Sequence, residues 1–109
     1  MREMLEDLIR KFNGKVASDP ALQSEIGDLS KTVLIELKDG TKYHFTLKDK
    51  HVAGLFDGGI DPADITISTD AETLRALIQR EMGPFKAYAM GKIRLKGSLE
   101  DLARLRKFF

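Results

Sequence analysis

The sequence predicts an α+β domain, with five strands in a curved, mostly antiparallel sheet and helices covering one face. Three observations carry this expectation. Hydrophobic periodicity changes from helical to alternating at Lys31, the first two alternating runs meet at Asp39-Gly40, and helical patterns recur before and after the strands. At 109 residues the chain has the size of one domain, so residues 1–109 are read as a single unit.

The elements follow in order. Met4 or Leu5, Leu8, Ile9 and Phe12 recur at helical spacing, and Asn13-Gly14 is expected to stop that first helix. Asp19-Pro20 caps a second short helix through Ala21, Leu22 and Ile26, ended by Gly27. From Lys31 onward Val33, Ile35 and Leu37 alternate with polar or outward residues, and Tyr43, Phe45 and Leu47 do the same beyond the turn.

Parity constrains that turn. A two-residue Asp-Gly loop would set Ile35 against His44 and mix apolar with polar faces. A three-residue loop over 38–40 pairs Ile35 with Tyr43 and Val33 with Phe45, with Gly40 in the left-handed position. The longer loop is therefore expected.

A third strand is expected over 51–56, with Gly54 marking a bulge or a close approach, and Ile65 and Ile67 mark a fourth. Thr69-Asp70-Ala71-Glu72 has capping-box spacing, opening a helix whose inner stripe is Leu74, Leu77, Ile78 and Met82. Gly83-Pro84 resets the chain into a short helix over 84–90. The fifth strand, over 92–96, points Ile93 and Leu95 inward and Lys92, Arg94 and Lys96 outward. Ser98 and Asp101 have the spacing to cap a final helix carrying Leu99, Leu102, Leu105 and Phe109 on one face.

Composition narrows the function. Hydrophobic residues make up 42% and charged ones 32%, with a net charge of +1, so no basic excess points to nucleic acid. There is no cysteine, which removes thiol catalysis, disulfides and thiolate metal sites. The N-terminal residues lack the continuous apolar core of a signal peptide, and no run approaches the roughly 20 apolar residues of a membrane span. A cytoplasmic location is the expectation.

Catalytic signals are sparse. His44 alternates outward and is expected to be solvated, and His51 lies close in sequence to Asp49 as an acid–base pair would. No serine sits in a nucleophile elbow, Asp57-Gly58-Gly59 lacks the Gly-Lys-Ser/Thr of a phosphate loop, and the His and Asp spacings support no metal site. The chain is read as a non-enzyme without cofactor.

Two stretches carry a resemblance to a known family. Asp64-Ile65-Thr66-Ile67-Ser68 is a strand of Asp-x-Thr-Ile type before a capped helix. Gly83-Pro84-Phe85-Lys86-Ala87-Tyr88-Ala89-Met90-Gly91-Lys92-Ile93-Arg94-Leu95-Lys96-Gly97 runs through a Pro, an Ala-aromatic pair, Gly-Lys, an alternating strand and a closing Gly. In this pattern and in the order of its elements the chain resembles the sterol carrier protein type 2 domain.

That resemblance implies a hydrophobic tunnel between sheet and helices, holding a fatty acid, fatty acyl-CoA, phospholipid or sterol. Animal members often end in a peroxisomal tripeptide, whereas this chain ends Lys107-Phe108-Phe109.

The residues and the resemblance together name the candidate wall. Leu74, Ile78, Met82, Phe85, Tyr88, Ala89 and Met90 would line the tunnel, with Leu102, Leu105, Phe108 and Phe109 closing one end. Met82 and Met90 flank the short helix, where methionine adapts to irregular apolar shapes. The expected partner is a small hydrophobic ligand, with no nucleic acid and at most transient membrane-surface contact. The alternative is an interaction or dimerisation module with a closed core, docking a partner, including a second copy, through Phe108-Phe109.

Overall fold

The computed structural model describes residues 1–107, with side chains through Arg104. Two helices come first, α1 (Arg2–Ser18) and α2 (Pro20–Ile26). The strands β1 (Lys31–Leu37), β2 (Lys42–Lys48), β3 (His51–Val52), β4 (Phe56–Asp57) and β5 (Ile65–Thr69) follow. Then come α3 (Ala71–Ile78), α4 (Pro84–Ala89), β6 (Ile93–Lys96) and α5 (Leu99–Lys107). The α+β expectation holds.

The sheet runs in the order β3-β2-β1-β5-β6, with β4 also pairing β2. All pairs are antiparallel except β1 with β5, which run parallel. The β1–β2 register sets Ile35 opposite Tyr43 and Val33 opposite Phe45, as the three-residue loop requires. Gly40 has φ 92°, and its N–H donates to the Leu37 carbonyl at 3.0 Å.

The expected third strand is split. Its two ends pair with β2 as β3 and β4, and Ala53-Gly54-Leu55 leaves the ladder between them, so six strands replace five. Gly54 sits in this break, where a residue without a side chain to pack weakens a strand. The buried Leu55 leaves the ladder with it and joins the core against Leu5, Ile35 and Tyr43.

The first helix also differs from expectation: it runs through Asn13-Gly14 to Ser18. Asn13 does not act as a stop because its amide is engaged by the sheet edge. Its Nδ2 donates to the Val52 carbonyl at 2.8 Å, and its Oδ1 accepts from the Val52 N–H at 2.9 Å. One further turn then buries Val16 against Ile26, Leu47 and Val52. Asp19 ends α1 and caps α2, accepting from the Leu22 N–H at 3.2 Å.

Helix α3 is capped one residue later than its spacing suggests. Asp70, not Thr69, is the N-cap, and it accepts from the Thr73 N–H at 2.7 Å and from the Thr73 hydroxyl at 2.9 Å. Thr69 instead ends β5, buried, and its hydroxyl donates to the Lys92 carbonyl at 2.8 Å. Ser98 caps α5 as expected, accepting from the Asp101 N–H at 3.1 Å. The buried Asp101 carboxylate turns elsewhere, to an ion pair at 3.1 Å with the half-buried Lys31 that ties α5 to the start of β1.

The core lies between the sheet and α1, α2 and α3. Leu5, Ile35, Leu37, Tyr43, Leu55 and Leu74 form one buried cluster, and Val16, Ile26, Leu47 and Val52 form a second. Phe45 and Ile9 pack against both. On the opposite face Thr32 and Thr46 share a hydroxyl contact at 3.1 Å. His44 is half-buried there rather than solvated: its Nδ1 lies 3.0 Å from the Gly58 carbonyl and its ring stacks on Phe56 at 5.5 Å.

Gly97 explains the closing glycine of the 83–97 motif. A Cβ there would stand 2.9 Å from the backbone oxygen of Asp64, closer than such atoms approach. Asp64 itself brackets the entry to β5: its N–H donates to the Thr32 carbonyl, and its carboxylate accepts from the Thr32 N–H at 2.8 Å.

Candidate functional site

Helix α4 has six residues, well short of the length that is stable alone, and it has no side-chain N-cap bond. Among the described residues it is anchored at Ala87 and at the turn into the next strand. Ala87 is 0% exposed, and its carbonyl accepts from the Lys92 N–H at 2.9 Å as the chain turns into β6. Pro84 presets the first helical residue.

The rest of α4 faces outward. Phe85 is 63% exposed, Tyr88 60% and Met90 54%, and Leu99 beyond β6 reaches 88%. The expected common inner face of α5 therefore does not include Leu99. Scattered exposed leucines are ordinary, but a contiguous run of exposed aromatic and thioether groups marks a contact surface.

Beneath this region the sheet floor is incompletely covered. Tyr43, Ile35, Ile67 and Leu95 stand in one cross-strand row on the helical face. Tyr43 and Ile35 are buried, whereas Ile67 and Leu95 are only half-buried. The neighbouring row of Leu37, Thr69 and Ile93 is buried throughout, so the gap is local to Ile67 and Leu95. An inward-facing isoleucine on a strand flanked on both sides would ordinarily be covered.

The residues named from sequence are placed as follows. Leu74 is buried in the core with the half-buried Ile78 packed against its cluster, Met82 is half-buried, and Phe85, Tyr88, Ala89 and Met90 are exposed. Leu102 is half-buried on α5. The Leu105 side chain, Phe108 and Phe109 lie outside the described residues. Ile67 and Leu95 were missed as floor residues, although their alternation already put them on the inner face.

Two solvent-open clefts lie elsewhere. One of about 410 Å³ opens between α1 and the broken edge strand, lined by Arg2, Asn13, His51, Gly54 and Leu55 among others. Another of about 370 Å³ lies between α1 and the end of α3, beside Met4, Lys11, Ile78 and Gln79. Neither includes α4.

His51 is exposed, and among the described residues no hydrogen bond joins it to Asp49. Among the described residues no three His or acidic groups converge as a metal site would need. Asp39 and Asp70 have carboxyls held below their ordinary pKa, each by a backbone N–H first and a threonine hydroxyl second, from Thr41 and Thr73 respectively. Both are turn and cap chemistry.

The chain as a whole is matched in known proteins. A model of the SCP-2 sterol transfer family matches residues 5–109. The chain belongs to this family. It is therefore a domain of the sterol and lipid transfer type.

Solved structures share the fold. Sterol Carrier Protein 2 Like 2 from Aedes aegypti is similar at 20% identity and a TM-score of 0.64, covering 99% of this chain and 98% of that one. The palmitated form of SCP2L2 from the same organism matches at 21% identity and 0.65, over 94% of this chain and 90% of that one. The sec-alkylsulfatase Pisa1 from Pseudomonas sp. matches at 20% identity and 0.64. That match covers 79% of this chain but 13% of the sulfatase, so the fold also occurs as a small part of an enzyme. No curated protein matched by sequence.

Proposed function

We propose that this domain is a non-enzymatic intracellular lipid carrier of the cytoplasm. Its apolar ligand, a fatty acid, fatty acyl-CoA, phospholipid or sterol, would lie in a tunnel on the Ile67 and Leu95 floor. Phe85, Tyr88, Ala89 and Met90, which face solvent in this structure, would supply the wall beside the tail once α4 turns over the floor, with Met82 next to them and Leu74 and Ile78 on the inner side. Leu102, Leu105, Phe108 and Phe109 would close one end. The supporting observation is the half-buried pair Ile67 and Leu95 beside a weakly held apolar helix, in a chain of a lipid transfer family. The palmitated relative supports a fatty acyl ligand as the first to try.

The energetics favour such a site without elaborate polar contacts. Each buried methylene contributes about 0.8 kcal/mol, so roughly a dozen give on the order of 10 kcal/mol gross, before ordering costs. A six-residue helix without a side-chain cap can shift to admit a tail, and the ligand would then stabilise the fold by mass action.

Titrating the delipidated protein with a fluorescent fatty acid tests the reading. Saturable binding and a melting temperature that rises with acyl-CoA are expected. Leu95→Ser weakens binding about tenfold. Tyr88→Ser also weakens binding, while shifting the melting temperature of the delipidated protein little because the side chain is exposed. Absence of both binding and thermal shift would overturn the proposal. A second reading, dimerisation through α4, rests on the same exposed Phe85, Tyr88 and Met90. A dimer by light scattering with no fatty acid bound would replace the first.

A further inference from the structure

Charge is distributed unevenly along this chain. Across residues 82–99 there are four cations, Lys86, Lys92, Arg94 and Lys96, and no acidic residue, although the whole chain carries 17 acids against 18 bases. All four cations are exposed, and among the described residues none forms an ion pair. The exposed Phe85, Tyr88, Met90 and Leu99 occupy the same stretch.

Topology brings these groups to one place. Strand β6 is the edge of the sheet, and α4 packs beside it through Ala87. Arg94 and Lys96 project from the strand face opposite Ile93 and Leu95. Anything approaching the β6 edge therefore meets an apolar helix on one flank and a row of cations on the other.

The charges of α1 make the contrast. There Arg2 pairs with Glu6 at 2.7 Å, and Arg10 and Lys11 both pair with Asp7, which is the pattern of a solvated helix. Among the described residues no ion pair neutralises the β6 edge in that way.

From this arrangement we infer that the α4–β6 edge docks on the surface of an anionic lipid bilayer. Basic residues near such a surface are attracted by its negative potential, while Tyr and Phe rings settle at the headgroup boundary. The occupant is argued from charge complementarity together with the exposed aromatics: a neutral apolar partner would leave four cations unmatched, and a soluble polyanion would leave Phe85 and Tyr88 in water. The inference builds on the lipid-carrier reading, because it puts the helix beside the ligand floor at the membrane from which a ligand would be exchanged.

Sedimentation of the delipidated protein with vesicles tests it, using phosphatidylcholine alone or mixed with phosphatidylglycerol. Expected is pelleting with the anionic vesicles that falls as salt rises, with little pelleting on phosphatidylcholine alone. The triple variant K92Q/R94Q/K96Q loses about a hundredfold in partitioning, at roughly fivefold per cation. The control K11Q/K15Q on α1 loses little. Equal pelleting on both vesicle types, no pelleting, or an equal loss in the control would each overturn the docking site. So would a stable dimer through β6 that leaves the vesicles unbound.

Fatty-acid binding without vesicles, measured on the same triple variant, verifies that it is folded and is expected to be unchanged. It also separates the two proposals. Fatty acid bound by a protein that does not pellet sinks the docking site alone, and pelleting without fatty-acid binding sinks the carrier reading alone.

Discussion

The two halves of the sheet are finished differently. Over β1, β2 and β3, two helices and an edge loop leave Val16, Ile26, Ile35, Leu37, Tyr43 and Val52 buried, with Asn13 bonded twice to the edge strand. Over β5 and β6, Leu74 and Ile78 of α3 reach the cluster that Ile67 packs against and the six-residue α4 packs beside β6, yet Ile67 and Leu95 stay only half-buried. The first half has apolar surface matched to apolar surface. The second has more than it covers, on the floor and on the outside of α4. A fold can leave one face unfinished only if the rest holds it, and that division is what a carrier needs.

The comparison can be attacked first at its strongest point. Leu37→Ala removes a buried side chain from the cluster under α1 and is expected to cost about 3 kcal/mol in urea unfolding of the delipidated protein. A cost under about 1 kcal/mol would mean that this half is no better packed than the other. Next is Asn13→Ala, which leaves the Val52 N–H and carbonyl without their partner. It should cost about 2 kcal/mol and speed hydrogen exchange at Val52 before the centre of the sheet.

The smallest effect concerns the joint between the halves. Asp70→Ala, uncapping α3, should cost about 1 kcal/mol. Hydrogen bonds from Thr73 favour the ionised form, so the folded pKa lies below the ordinary value. The cap's contribution is therefore complete above that ordinary value and is lost as pH falls through the lower folded one. Unfolding curves of wild type and D70A should converge at acid pH, and a constant gap would contradict the cap's role.

Much of this was legible in the residues. Parity alone chose the three-residue hairpin loop, because a one-residue slip would have turned Ile35 toward polar His44. Asp19-Pro20 and Ser98 announced helix starts through local hydrogen bonds that need no tertiary partner. Asn13-Gly14 misled because its stop signal is also local, whereas the bond that overrides it comes from Val52 far along the chain. Thr69 and Asp70 were both chemically able to cap α3, and the demand of Lys92 for the Thr69 hydroxyl settled which one did. The break at Ala53-Gly54-Leu55 was foreshadowed only by its glycine.

The candidate site divides in the same way. Phe85, Tyr88 and Met90 were recognisable as a cluster from spacing, but spacing does not say whether a short helix turns its aromatics toward the sheet or away. Packing decided that: Ala87 is the α4 residue buried beside β6, and its burial sends Phe85 and Tyr88 outward.

By itself, then, the sequence determined the strand faces, the hairpin register, most caps and the family, because alternation and capping act between near neighbours and family motifs are linear. Tertiary structure decided the length of α1, the splitting of the third strand, the open floor at Ile67 and Leu95, and the outward aromatics of α4. These depend on which distant surfaces meet and on how much area is left when they do, and no local pattern carries that quantity.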